Sequence, residues 1–125
     1  MEKQYLTLEK IAAYTESYEL GNYVWKMVMS WDSFTKWTLG KQLVNSADSI
    51  SANIAEGFGR YHKKEKIHFY RYSYGSLKET EDWIKKAIDR ELISENDATY
   101  IYQKLEQLPK LINYLIKYTN EKLKY

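Results

Sequence analysis

Residues 48–60 read Asp48-Ser49-Ile50-Ser51-Ala52-Asn53-Ile54-Ala55-Glu56-Gly57-Phe58-Gly59-Arg60, and Tyr61, His62 and Lys63 follow. Ile50 and Ile54 are four apart, and steps of three or four backward meet Ala47, Leu43 and Leu39, an apolar stripe at the α-helical period. Thr38 stands where an N-cap would, so the spacing predicts a helix over residues 38–56. Gly57 and Gly59 then occupy the place where a helix C-terminus takes a residue that tolerates positive φ. Beyond the corner, Ile67, Tyr70, Tyr74, Leu77, Ile84 and Ile88 recur at bundle-seam spacing, predicting a helix over residues 63–90. Two long helices joined by so short a corner must fold back on one another.

The flanks extend the same pattern. A first helix is expected over residues 8–31, with Leu8, Ile11, Tyr18, Trp25 and Met29 on one apolar stripe and Leu20, Val24, Val28 and Trp31 beside it. A break is expected over residues 32–37. Ser94 with Asp97 three residues on resembles a capping box opening a fourth helix to about residue 122. Pro109 lies inside that span, and an interior proline removes a hydrogen bond and costs about 3 kcal/mol, so a kink or short break is expected over residues 105–108. The seam resumes at Leu111, Ile112, Leu115 and Ile116. The fold class is therefore all-α, an antiparallel up-down-up-down four-helix bundle, expected as one domain over residues 1–125.

Composition narrows the function. The chain has 125 residues, 44% of them hydrophobic, enough for a core without metal or disulfides. It has no cysteine, which removes thiolate metal sites and a cysteine nucleophile and fits a reducing compartment. The charged start, Met1-Glu2-Lys3-Gln4-Tyr5, and the lack of a long apolar run lead to the expectation of a cytoplasmic protein without a membrane. Net charge is only +2, but residues 58–72 carry +4 and residues 117–125 carry +2. In the up-down-up-down arrangement these two segments share one pole, and Asp32, Asp89, Glu91, Glu95 and Asp97 gather at the other. Thirteen tyrosines against three phenylalanines suit half-buried seams, subunit interfaces or base stacking.

The segment from Gln42-Leu43 through residues 48–60, followed by Tyr74-Gly75-Ser76-Leu77-Lys78-Glu79, resembles the signature of the bacterial four-helix-bundle proteins encoded by intervening sequences in large-subunit ribosomal RNA genes. It is similar, more distantly, to the accessory variability proteins of diversity-generating retroelements. The resemblance implies a four-helix subunit assembled as a ring-like homopentamer, with no known catalysis. The retroelement relatives bind nucleic acid and a reverse transcriptase. Many relatives carry an arginine pair just after the glutamine of the second helix, where this chain has Val44-Asn45.

Three constellations bear on function. The corner supplies Arg60, Lys63, Lys64, Lys66 and Arg71, and the C-terminal segment supplies Lys122 and Lys124, with His62, His68, Tyr61, Phe69, Tyr70 and Tyr72 interspersed. Lysine and arginine neutralise phosphates, and aromatic rings stack on unpaired bases; the alternative is an ordinary solvated corner. On the second helix Gln42, Ser46, Ser49, Asn53 and Glu56 form a polar stripe suited to directed hydrogen bonds, with Glu56 placed to pair with Arg60. Gln42, Asn53, Glu56, Gly57, Gly59, Ser76 and Glu79 are the candidate structural or interface residues. Glu65-x-x-His68 matches half of a di-iron bundle, but the other half is missing and His62 and His68 do not share a helix face. No metal, cofactor, catalytic residue or small-molecule substrate is expected. The expected function is that of a non-enzymatic homo-oligomer engaging RNA, DNA or a reverse-transcriptase-like protein through a basic pole. The alternative is an oligomeric protein-interaction scaffold without nucleic-acid contact.

Overall fold

The structure, a computed structural model, describes residues 6–125; the charged start at residues 1–5 lies outside them. Four long helices dominate: α1 (Ala12–Met29), α2 (Lys41–Phe58), α3 (Lys63–Asp89) and α4 (Glu95–Lys122). A single 3-10 turn, Leu8–Lys10, precedes α1. The described residues contain no strand. Each helix packs on two others, α1 on α2 and α4, and α3 on α2 and α4. As α1 runs from Glu16 to Tyr23, its partners on α4 run from Lys104 back to Asp97: Lys104 bonds to Glu16 and Glu19, and Tyr23 Oη donates to Asp97 at 2.5 Å.

The expected break at residues 32–37 is instead an ordered helical lead-in. The Asp32 carboxylate accepts from the Thr35 backbone N–H and from its hydroxyl, both at 3.0 Å, so Asp32 rather than Thr38 is the cap. One α-turn, Ser33–Thr35, passes into a π-turn, Lys36–Gly40, and directly into α2. Gly40 allows this wide turn to lie against α1, since a Cβ there would stand 2.6 Å from Val28 Cγ1. The corner glycines also differ from expectation. Among the described residues no glycine has positive φ, and Gly57 is a helical, buried residue of α2. A Cβ on it would meet the Lys66 carbonyl oxygen at 2.9 Å and Tyr70 Cε1 at 2.8 Å, so Gly57 serves close approach of α2 to α3. The left-handed residue is Glu91, φ 59°, which ends α3 with Leu92 N–H donating to the Ala87 carbonyl.

Ser94 caps α4 by accepting from Asp97 N–H at 3.1 Å. That helix runs unbroken through Pro109. Ile101, Leu105, Leu108, Ile112 and Leu115 are buried on both sides of the proline. Each fully buried leucine or isoleucine contributes about 1.5–3 kcal/mol, which outweighs the single lost hydrogen bond.

The core joins this row to Leu20, Val24 and Val28 of α1, Leu43, Ala47, Ile50 and Ile54 of α2, and Tyr70, Leu77 and Ile84 of α3. Tyr18, Trp25 and Met29, placed on a core stripe by their spacing, are instead 52%, 56% and 51% exposed. Register between α2 and α3 is set by buried hydroxyls: Ser73 Oγ donates to the Ile50 carbonyl at 2.7 Å, and Thr80 Oγ1 lies 3.0 Å from Ser46 Oγ across the seam. No buried side-chain polar atom among the described residues lacks a partner.

Candidate nucleic-acid interface

The turn between α2 and α3 is tied to the end of α4. Lys63 N–H donates to the Tyr125 backbone oxygen at 2.5 Å, and Lys63 Nζ donates to the Asn120 carbonyl at 3.2 Å. The two segments richest in positive charge therefore meet. Their cations differ in what they already touch.

Arg60 is engaged on three sides. Its guanidinium pairs with Glu56 at 2.6 Å, stands 3.6 Å from Glu65, and lies over the Phe69 ring at 4.7 Å. Lys66 folds back onto α2, donating to the Phe58 carbonyl at 2.6 Å, where an ammonium satisfies a helix C-terminus. Burial pushes its pKa down. Lys63 is committed to Asn120. Lys64, Arg71 and Lys122 are exposed and form no ion pair among the described residues. Lys124 is exposed, with Nζ 5.6 Å from the Tyr125 ring centroid. The cationic surface is thus smaller than the charge count suggested.

Spacing of four, seven and eight residues sets Lys64, His68, Arg71 and Tyr72 on one face of α3, and all four are exposed. His68 Nε2 and Tyr72 Oη are 2.7 Å apart. Tyr61, at the corner, is 80% exposed, and Tyr72 is 52% exposed. Tyr70, also counted among the corner aromatics, is buried. Burial raises its pKa to about 12, against the opposing effect of a hydrogen bond with Thr119.

The candidate structural residues divide similarly. Asn53 Nδ2 donates to the Ser49 carbonyl of its own helix at 2.9 Å, and Glu79 accepts from Trp83 Nε1 at 3.0 Å. The Ser76 carbonyl accepts from Thr80 Oγ1, Gln42 is exposed, and Gly59 lies exposed in right-handed backbone at the end of α2. The cross-helix partners Ser73 and Thr80 escaped sequence reasoning, because a buried serine or threonine in a helix has no distinguishing spacing. Glu65 and His68 do not converge on a common point: Glu65 faces Arg60 and His68 faces Tyr72. Val44 and Asn45 line a groove of about 530 Å³ between α1 and α2, with Trp25, Val28, Met29 and Trp37.

These features define an all-α, four-helix protein with a partly engaged basic corner. The chain belongs to the 23S rRNA-intervening sequence protein family, whose model matches residues 9–114. A solved structure of similar fold is a protein of unknown function from the S23 ribosomal protein family of Bacteroides thetaiotaomicron. It aligns with a TM-score of 0.75 at 23% identity, over 85% of this chain and 99% of that one. No curated protein matches the chain. Among the described residues, no helix is long and apolar enough to cross a membrane.

Proposed function

We propose that this chain is a non-enzymatic, cytoplasmic accessory protein, an antiparallel up-down-up-down bundle that self-associates and binds single-stranded RNA or DNA through its basic pole. The observation that carries the reading is that Lys64, Arg71 and Lys122 are exposed and form no ion pair among the described residues, while Tyr61 and Tyr72 of the same α3 end are exposed rings. Cations of this kind bind by displacing counterions from phosphates, and neighbouring tyrosines give unpaired bases a stacking surface. Arg60, Lys63 and Lys66 act in a supporting role, holding the turn and the end of α4 in place.

A single subunit offers few such contacts. Repetition around an assembly, a pentamer by the family resemblance, multiplies them through effective concentration. The test is fluorescence anisotropy with labelled single-stranded RNA and DNA at low salt. Saturable binding is expected, and its absence overturns the nucleic-acid reading.

A second reading, an interaction scaffold without nucleic-acid contact, is favoured by one feature. Phe34 and Trp37 are 77% and 70% exposed, an apolar surface that phosphate binding does not require.

A further inference from the structure

The seam between α1 and α4 is closed over one half and open over the other. Tyr23 donates to Asp97 and stacks on Tyr100 at 4.0 Å, and Lys104 binds Glu16 and Glu19, so side chains bridge the two helices there. Nearer the basic pole the seam opens into a groove of about 320 Å³. Leu111, Tyr114 and Tyr118 of α4 form one wall, and Lys10, Ile11 and Ala12 form the other. Among the described residues, no carboxylate lines it.

The α4 wall belongs to a longer row. Lys110, Tyr114, Tyr118 and Lys122 follow one another at four-residue steps, which sets them along one ridge of the helix, with Lys117 beside the two tyrosines. Tyr114 is 67% exposed, and the rings of Tyr114 and Tyr118 lie 6.3 Å apart, tilted by 31°. Lys10, Lys110, Lys117 and Lys122 are exposed and form no ion pair among the described residues. Of the acidic side chains nearby, Glu16 and Glu19 are already neutralised by Lys104, and Glu9 and Glu121 are exposed outside the lining.

A ring pair flanked by unpaired lysines, over a groove without carboxylates, complements a polyanion that carries flat apolar groups. We infer that this groove is a second contact track for single-stranded RNA or DNA: bases stack on Tyr114 and Tyr118, and phosphates meet Lys10, Lys110 and Lys117. Paired bases in a duplex keep their faces covered, so the rings select single strands. Lys122, one turn past Tyr118, belongs both to this row and to the basic pole, so a strand bound at the pole continues onto the α1–α4 flank. The inference rests on the nucleic-acid reading above and extends its site to residues that the charged corner does not include.

The test titrates labelled single-stranded RNA, and a duplex of the same length, against the full chain by fluorescence anisotropy at low salt. Circular dichroism confirms helicity, and light scattering follows the mass. Tyr114→Ala is expected to weaken single-strand binding by about fivefold or more, the loss of one stacked base, and to leave duplex binding unchanged. Lys110→Glu with Lys117→Glu is expected to make the slope of log affinity against log salt shallower by about 1.4, the loss of two phosphate contacts. Thiouridine placed in the RNA is expected to photocrosslink to Tyr114 or Tyr118. Both variants binding as wild type does, while Lys64→Glu with Arg71→Glu binds more weakly, would overturn the flank track and leave the basic pole standing. Equal losses on single strand and duplex in Tyr114→Ala would overturn base stacking. A fall in mass without a loss of single-strand affinity would overturn the track in favour of a contact between subunits, and a wild type that binds no nucleic acid would overturn track and pole together.

Discussion

Replacing Gly57 with alanine tests the packing account at its tightest point. The added methyl carbon would lie 2.8 Å from Tyr70 Cε1, 2.9 Å from the Lys66 carbonyl oxygen and 3.0 Å from Phe69 Cβ. Carbon atoms pack best at about 3.5–4.0 Å, so the two carbon contacts are short by at least half an ångström, and the contact with the carbonyl oxygen is also too close. One of them is backbone of α3 and cannot rotate away. Overpacking of this kind costs about 1–3 kcal/mol, and alanine's better helix preference offsets about 1. The expected result is a net loss of up to about 2 kcal/mol, a fall in Tm of up to roughly 10 °C. Gly75 is the control: it lies exposed in α3 with nothing within 4 Å of an added Cβ, so Gly75→Ala keeps only the helix gain and is expected to stabilise by about 1 kcal/mol. Urea unfolding followed by circular dichroism at fixed protein concentration reads both. If Gly57→Ala stabilises as much as Gly75→Ala, the close approach of α2 to α3 is refuted.

Three further outcomes follow from the local chemistry. Glu91 holds φ 59° at the end of α3, so Glu91→Gly relieves the strain of a left-handed side chain and is expected to raise stability by about 1 kcal/mol in urea titration. Lys104 sits between Glu16 and Glu19 with its side chain 13% exposed. Lys104→Met leaves those carboxylates unpaired and is expected to cost about 1–2 kcal/mol after allowance for solvent, with no loss counting against the clasp. Tyr23 donates to Asp97, which, with burial and the nearby negative charge, raises its pKa to about 12 from 10. A raised folded-state pKa makes the contribution complete below about pH 10 and lost as pH climbs to about 12. Thermal stability measured across that window should fall less steeply in Tyr23→Phe; identical curves would remove the role given to this bond.

The existence and order of the helices are legible because apolar spacing carries them, and Ser94 with Asp97 signals its cap without ambiguity. Periodicity fails on α1, where Tyr18, Trp25 and Met29 keep core spacing yet face water. Spacing reports that a face is apolar, not whether the covering layer comes from the same chain. Asp32 and Thr38 are both competent caps, and only the hydrogen bonds from Thr35 decide between them. Gly57 reads equally as a helix stop or as a place where two helices touch, since both need a missing side chain. At the basic corner the Arg60 pairing with Glu56 is four residues apart and visible in sequence. The fold of Lys66 onto the Phe58 carbonyl and of Lys63 onto Asn120 is not, so charge counting overstated the free surface.

The central claim, phosphate contact through the basic pole, is tested most directly by the salt dependence of RNA binding. Each phosphate contact to a single strand adds about −0.7 to the slope of log affinity against log salt. Lys64→Glu with Arg71→Glu removes two exposed cations that no carboxylate of the described residues engages, so weaker binding and a slope shallower by about 1.4 per subunit site are predicted relative to wild type. Wild-type binding whose slope is unchanged in the double variant, or that is insensitive to salt, would contradict the account.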